Sequence, residues 1–162
     1  MLIDNILESA ILYNANDVKR INHLLKVFSF AHHIGIMEKC DMKTQEIIDI
    51  SAILHDIGIH EAERKHNSNA GNWQEIEGPP VANELLKDFD LDNIIKDRIL
   101  FLIGHHHQYN VIDGIDFQIL VEADFLVNIF EDGVNEKSIK SIKEKIFKTK
   151  SGTNLLEKLY LF

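Results

Sequence analysis

With 162 residues, 17 basic and 26 acidic side chains and a formal charge of −9, the chain is long enough for one ordinary domain with a real core. So acidic a surface repels polyanions and excludes duplex DNA or RNA as a partner, whereas a small phosphate ester stays admissible because a metal and a few local cations reverse the potential inside a cleft. No apolar run reaches the roughly 18–20 residues of a membrane span, the N-terminal stretch lacks a basic leader, and the single Cys40 has no internal partner, so a cytoplasmic protein is expected.

Apolar residues recur at helical spacing almost throughout, without sustained strand alternation, which predicts an all-α protein. Helices are expected at about 2–13, 17–38, 43–56, 79–88, 91–105, 116–130, 136–148 and 152–160. Asp17 and Thr44 read as N-terminal helix signals, and Pro79 or Pro80 suits a first helical turn. Two stretches, Ile47 to Leu54 and Ile119 to Val127, are apolar on most sides and belong at the centre of a bundle. The polar stretch from Glu61 to Glu75 reads as the main loop, and loops of that length are usually functional. No repeat or linker interrupts the chain, so one compact helical bundle of about six to eight helices is expected over 1–162.

Five features carry chemistry. On the second helix, His23 borders the stripe Leu24, Val27, Phe28 and Ala31, with Arg20 one turn before it; a satisfied core histidine is the ordinary alternative. His55-Asp56 ends the buried run Ile47–Leu54, and Gly58 just beyond is expected to stop the helix in a left-handed conformation. A carboxylate there faces the negative end of the helix dipole and is desolvated, unless a cation sits beside it or the histidine pairs with it. His105-His106-His107 follows the apolar stretch Ile94–Ile103 at Gly104. Asp124 projects from an apolar sector formed by Leu120, Val121 and Val127, where an aspartate needs a metal or a salt bridge, Arg20 being an available partner. Around the loop, His60 and Glu61 are acid/base candidates, Lys65 is a second cation for phosphate, and Trp73 either packs the loop or stacks on a base. The late lysines from Lys137 to Lys150 accompany Ile139, Ile142 and Ile146 and read as the solvated face of an amphipathic helix.

Arg20-Ile21-Asn22-His23, then His55-Asp56-Ile57-Gly58, then Ala123-Asp124-Phe125-Leu126 form a set that resembles the HD-domain superfamily of metal-dependent phosphohydrolases. The resemblance spans about residues 18–130 with the H…HD…D order intact. It implies an all-α fold in which His23, His55, Asp56 and Asp124 converge on one divalent cation. Two imidazoles and two carboxylates suit manganese, iron, cobalt, nickel or zinc. It further implies removal or transfer of phosphate from a small ester, a nucleotide first of all, by attack of metal-activated water on phosphorus, as phosphomonoesterase or phosphodiesterase. Asp56, Arg20, His105 and His106 are the catalytic candidates, and His105 or His106 is the candidate for a second cation. Two-metal relatives carry a histidine near 77–79, where this chain has Glu77, and one metal is expected. The Gly-Tyr-Pro signature of one phosphodiesterase branch is replaced by Gln108-Tyr109-Asn110. The alternatives are a di-iron oxygenase on the same fold and a metal-containing regulatory nucleotide-binding domain without turnover; oligomeric state is open.

Overall fold

The computed structural model describes residues 1–161, which contain nine α-helices, a short 3-10 turn at Tyr109–Val111 and no strand. The helices are α1 (Leu2–Tyr13), α2 (Val18–Met37), α3 (Met42–Leu54), α4 (Ile59–His66), α5 (Gly71–Leu86), α6 (Asn93–Ile103), α7 (Ile115–Glu131), α8 (Glu136–Ile146) and α9 (Lys150–Tyr160). None is long and apolar enough to cross a membrane.

α3 is the axis of the molecule, packed against α1, α2, α6 and α7. Every residue from Ile47 to Leu54 is buried, as its all-round apolar character requires. α7 lies against α2 and α3 and buries all of Ile119 to Val127 except Phe125, which stays half-buried. α8 and α9 close the far end. The corner between them is fastened by the fully buried Glu122, whose Oε1 accepts the backbone N–H of Lys148 at 2.6 Å and of Thr149 at 2.9 Å.

Helix starts follow capping chemistry. Asp17 caps α2 by accepting Arg20 N–H at 3.1 Å. α3 starts at Met42, two residues before Thr44, because Asp41 is its cap and Thr44 supplies the N–H, at 2.8 Å.

The Glu61–Glu75 stretch is not one loop, and this is the main departure from the sequence reading; it also accounts for nine helices rather than six to eight. α4 occupies its first part, α5 begins at Gly71, and only residues 67–70 connect them. α4 buries just Ile59 and Ala62, too few apolar marks to declare a period. Its exposed face is supported by Arg64–Glu61 and Lys65–Glu61 pairs at helical spacing, and Asn67 at φ 49° ends it in the left-handed conformation. Pro79 and Pro80 sit inside α5 rather than in its first turn. Packing of α5 on α4 and α6 overrides the local penalty of a proline within a helix.

Gly58 is not left-handed either; its φ is −77°, and it opens α4. What requires glycine there is proximity. A Cβ at 58 would lie 2.5 Å from the Gly78 nitrogen and 2.7 Å from the Gln74 carbonyl oxygen, both α5 backbone.

Candidate metal centre

Three central elements deliver the side chains. His55 is the cap residue at the end of α3, fully buried, and its Nδ1–H donates to the Ala52 carbonyl at 2.8 Å. Asp56 follows in the turn toward α4. His23 comes from α2, and its Nδ1–H donates to Glu131 Oε2 on α7 at 2.9 Å, while Lys26 Nζ holds the other oxygen of Glu131 at 2.6 Å. Asp124, also on α7, accepts the Asn128 amide at 2.8 Å.

The free ends of these groups converge. His23 Nε2 and His55 Nε2 are 3.2 Å apart. Asp124 Oδ1 stands 3.3 Å from the first and 3.6 Å from the second. Asp56 Oδ2 stands 3.5 and 3.4 Å from the same two atoms. A carbonyl only accepts, so His55 carries its proton on Nδ1 and turns a bare lone pair inward; Glu131 imposes the same tautomer on His23. Two lone pairs and two carboxylate oxygens therefore face one another with no donor among the four, the neighbouring donor being the Asn128 amide on Asp124 Oδ1 at 2.8 Å. Acceptors so arranged require either protons or a cation.

Titration directions say the same. Burial disfavours charge on His55, yet Asp56 and Asp124 raise its pKa well above the usual imidazole value. Burial pushes the Asp56 carboxyl up, but His55 and His106 hold it well below the carboxylate range. Asp124 is likewise lowered against burial, by His23 and His55. The pocket is a place for positive charge, and the imidazole–carboxylate set fits a divalent transition cation.

Asp56 has a second face. Its Oδ1 is 3.3 Å from Nε2 of the buried His106, whose Nδ1–H donates to the Ile103 carbonyl at 2.9 Å. Asp56, His106 and His107 form a second group able to hold an ion, alongside His23, His55 and Asp56. Of the three consecutive histidines, the structure thus brings His106 and His107 to Asp56. His105 is not in this group: its Nδ1–H donates to the Phe101 carbonyl at 2.7 Å and its ring stacks on Phe101 at 4.2 Å.

A cleft of about 530 Å³ opens beside His23 and Asp56, lined also by Arg20, Lys19, Asn69 and Gln74. Arg20 does not pair with Asp124; it pairs with Asp17 and with Glu63 Oε1 of α4 at 2.6 Å. Glu77, the replacement for the histidine of two-metal relatives, is bound by Lys65 at 2.6 Å and His66 at 2.8 Å and belongs to neither ion-holding group. Lys65 is thereby committed to Glu77, and Glu61 to Arg64 at 2.7 Å. His60 Nε2 lies 3.8 Å from Asp17. Trp73 stacks face to face on His66 at 3.7 Å.

Asn128 and Glu131 escaped the sequence reading. Their signal was available: they follow Asp124 by four and seven residues, which puts three polar residues on one stripe of an otherwise apolar helix. Glu131→Gln keeps the shape but removes the charge that orients His23 and raises its basicity. Metal affinity is expected to fall roughly 10–100-fold, measured by competition with a chelator. Unchanged affinity would mean that His23 is oriented by packing alone.

A family model described as HD domain matches residues 20–147. Among solved structures, the crystal structure of a predicted HD superfamily hydrolase from an uncultured Thermotogales bacterium is similar, with 24% sequence identity and a TM-score of 0.67. The match covers 96% of this chain and 83% of that one, and at such identity the likeness is one of fold. No curated protein matches.

Proposed function

From the premise that this chain belongs to the HD-domain family, we propose that it is a metal-dependent phosphohydrolase acting on a small phosphate ester, a nucleotide being the leading class. The observation that carries the reading is the convergence of acceptor atoms of His23, His55, Asp56 and Asp124 beside a cleft that also presents Arg20. These four would hold the cation. A divalent ion so held polarises a phosphoryl oxygen and lowers the pKa of water toward neutrality.

The remaining work falls to side chains. Glu131 and the Ala52 carbonyl keep both Nε2 atoms pointed inward, so ligation needs no turn of either ring, only release of any proton held there. Arg20, which lines the cleft while paired with Asp17 and Glu63, would bind an ester oxygen by a charge-assisted bond and orient phosphorus. His106, whose Nδ1–H is already given to the Ile103 carbonyl, would serve the leaving oxygen only as an imidazolium with its Nε2–H held by Asp56 Oδ1. His105, expected to share that role, faces Phe101 and is the weaker candidate. A second reading, a dinuclear centre with Asp56 shared between ions, is favoured by the grouping of Asp56 with His106 and His107, and it is what a di-iron oxygenase would need. Metal counting after anaerobic purification separates one ion from two.

The test of the proposal is a phosphate-ester panel supplied with manganese, cobalt or nickel. Release of phosphate or of a nucleoside monophosphate from at least one ester is expected, and none in chelator. A panel silent with every metal would overturn hydrolysis in favour of a regulatory, non-turning-over domain.

A further inference from the structure

The charge inside the cleft is unlike that of a polyphosphate site. Its charged lining is Asp17, Lys19, Arg20, Asp56, Glu131 and Asp132, four carboxylates against two cations. Arg20 already faces two carboxylates: one terminal guanidinium nitrogen meets Asp17 and the other terminal nitrogen meets Glu63 Oε1 at 2.6 Å, so its charge is offset on both sides. The two carboxylates differ in freedom. Asp17 is the N-cap of α2 and also accepts the Arg20 N–H, so releasing it would unmake the helix start. Glu63 stands on α4 with its side chain 41% exposed, and among the described residues it makes no other side-chain hydrogen bond.

We propose that Glu63 stands in for a substrate phosphoryl oxygen at Arg20, and that the cleft in consequence selects esters carrying a single phosphate group over di- and triphosphate chains. This rests on the phosphohydrolase reading above. A single phosphate exchanges one anion for another on the same guanidinium, while Glu63 swings into solvent, where its hydration is recovered. Each further phosphate would bring negative charge toward Asp17, Asp132 and the Lys26-paired Glu131, with Lys19 the one other lysine or arginine lining the cleft among the described residues. Such repulsion carries over a screening length of roughly 8–10 Å. The uncharged polar part of the wall is amide, with Asn69, Gln74 and Asn128 among it, beside the apolar Leu24, Ile53 and Ile57. Gln74 Oε1 is buried without a partner, an acceptor suited to a hydroxyl or amino group and repelled by a phosphate oxygen. Specificity here is built from rejection of extra charge as much as from attraction.

The test follows one nucleoside as its mono-, di- and triphosphate, with metal in excess over total nucleotide. For wild type, kcat/KM should favour the monophosphate over the triphosphate by at least about tenfold. In Glu63→Gln that discrimination should shrink several-fold through KM of the longer chains. Independently of turnover, orthophosphate binding to the metal-loaded protein, read by calorimetry, should tighten several-fold in Glu63→Gln and disappear in Arg20→Ala. A wild-type preference for the triphosphate overturns the proposal, as does unchanged orthophosphate affinity in Glu63→Gln, which would make Glu63 a pin between α2 and α4. If no ester turns over yet orthophosphate still tightens in Glu63→Gln, the hydrolase reading falls and Glu63 keeps its assigned role. If Glu63→Gln fails to fold, the wild-type chain-length preference alone decides.

Discussion

Asp56→Asn is expected to remove bound metal and lower hydrolysis on the order of 10³-fold or more in a protein that keeps its helices. Asp56 is the side chain with the widest reach in the centre: Oδ2 faces His23 and His55, while Oδ1 faces His106. Asparagine preserves the volume, so packing survives, but it removes the charge and turns one acceptor into a donor aimed at a lone pair. A ligand that binds only the native state stabilises by about 2.7 kcal/mol at a hundredfold excess over Kd. For a chain of this size that corresponds to roughly 5–10 °C in Tm. Wild type should therefore melt higher in manganese than in chelator by about that amount, and Asp56→Asn should melt at one temperature in both. A mutant that still gains several degrees from manganese would show that Asp56 is not a ligand. Its depressed pKa would then reflect pairing with histidines alone.

Gly58→Ala is expected to cost about 3 kcal/mol or more, lowering Tm by roughly 10 °C. The added methyl would meet the Gly78 nitrogen at 2.5 Å and Gly78 Cα and the Gln74 oxygen at 2.7 Å. All three are backbone atoms, so no rotamer change relieves the clash, and α4 has to part from α5. The consequence reaches the centre, because Gly58 lies two residues past Asp56 and Gln74 lines the cleft. Gly133→Ala provides the contrast. Gly133 has φ +61° with nothing within 4 Å of an added Cβ. Its loss is conformational only, about 1 kcal/mol. Comparable melting curves for the two variants would refute the close-approach explanation for Gly58.

What was legible in the sequence follows from local rules. Apolar recurrence at helical spacing marked α2, which buries one face, while near-continuous apolar runs marked α3 and α7, which are buried on most sides. His23, His55, Asp56 and Asp124 stood out because each interrupts or ends an apolar run, where an unpaired charge is expensive. α4 was invisible for the converse reason, since two buried residues make no period.

The sequence by itself therefore determined the helical class, the central pair of buried helices and the four polar residues placed among them. Only the tertiary structure decided how those residues are used. It chose His106 and His107 over His105 to face Asp56, since successive residues around a helix end point in directions about 100° apart and the packed neighbours decide which direction is inward. It joined Glu131 to His23 across 108 positions and Arg20 to Glu63 across 43, pairings that no local window contains. It also gave Gly58 its reason, the near-contact of two helix backbones rather than a left-handed turn. Burial and charge are properties of a residue in its own segment, and sequence reports them. Which partner satisfies a buried charge is a property of where separate segments meet, and that is settled by packing.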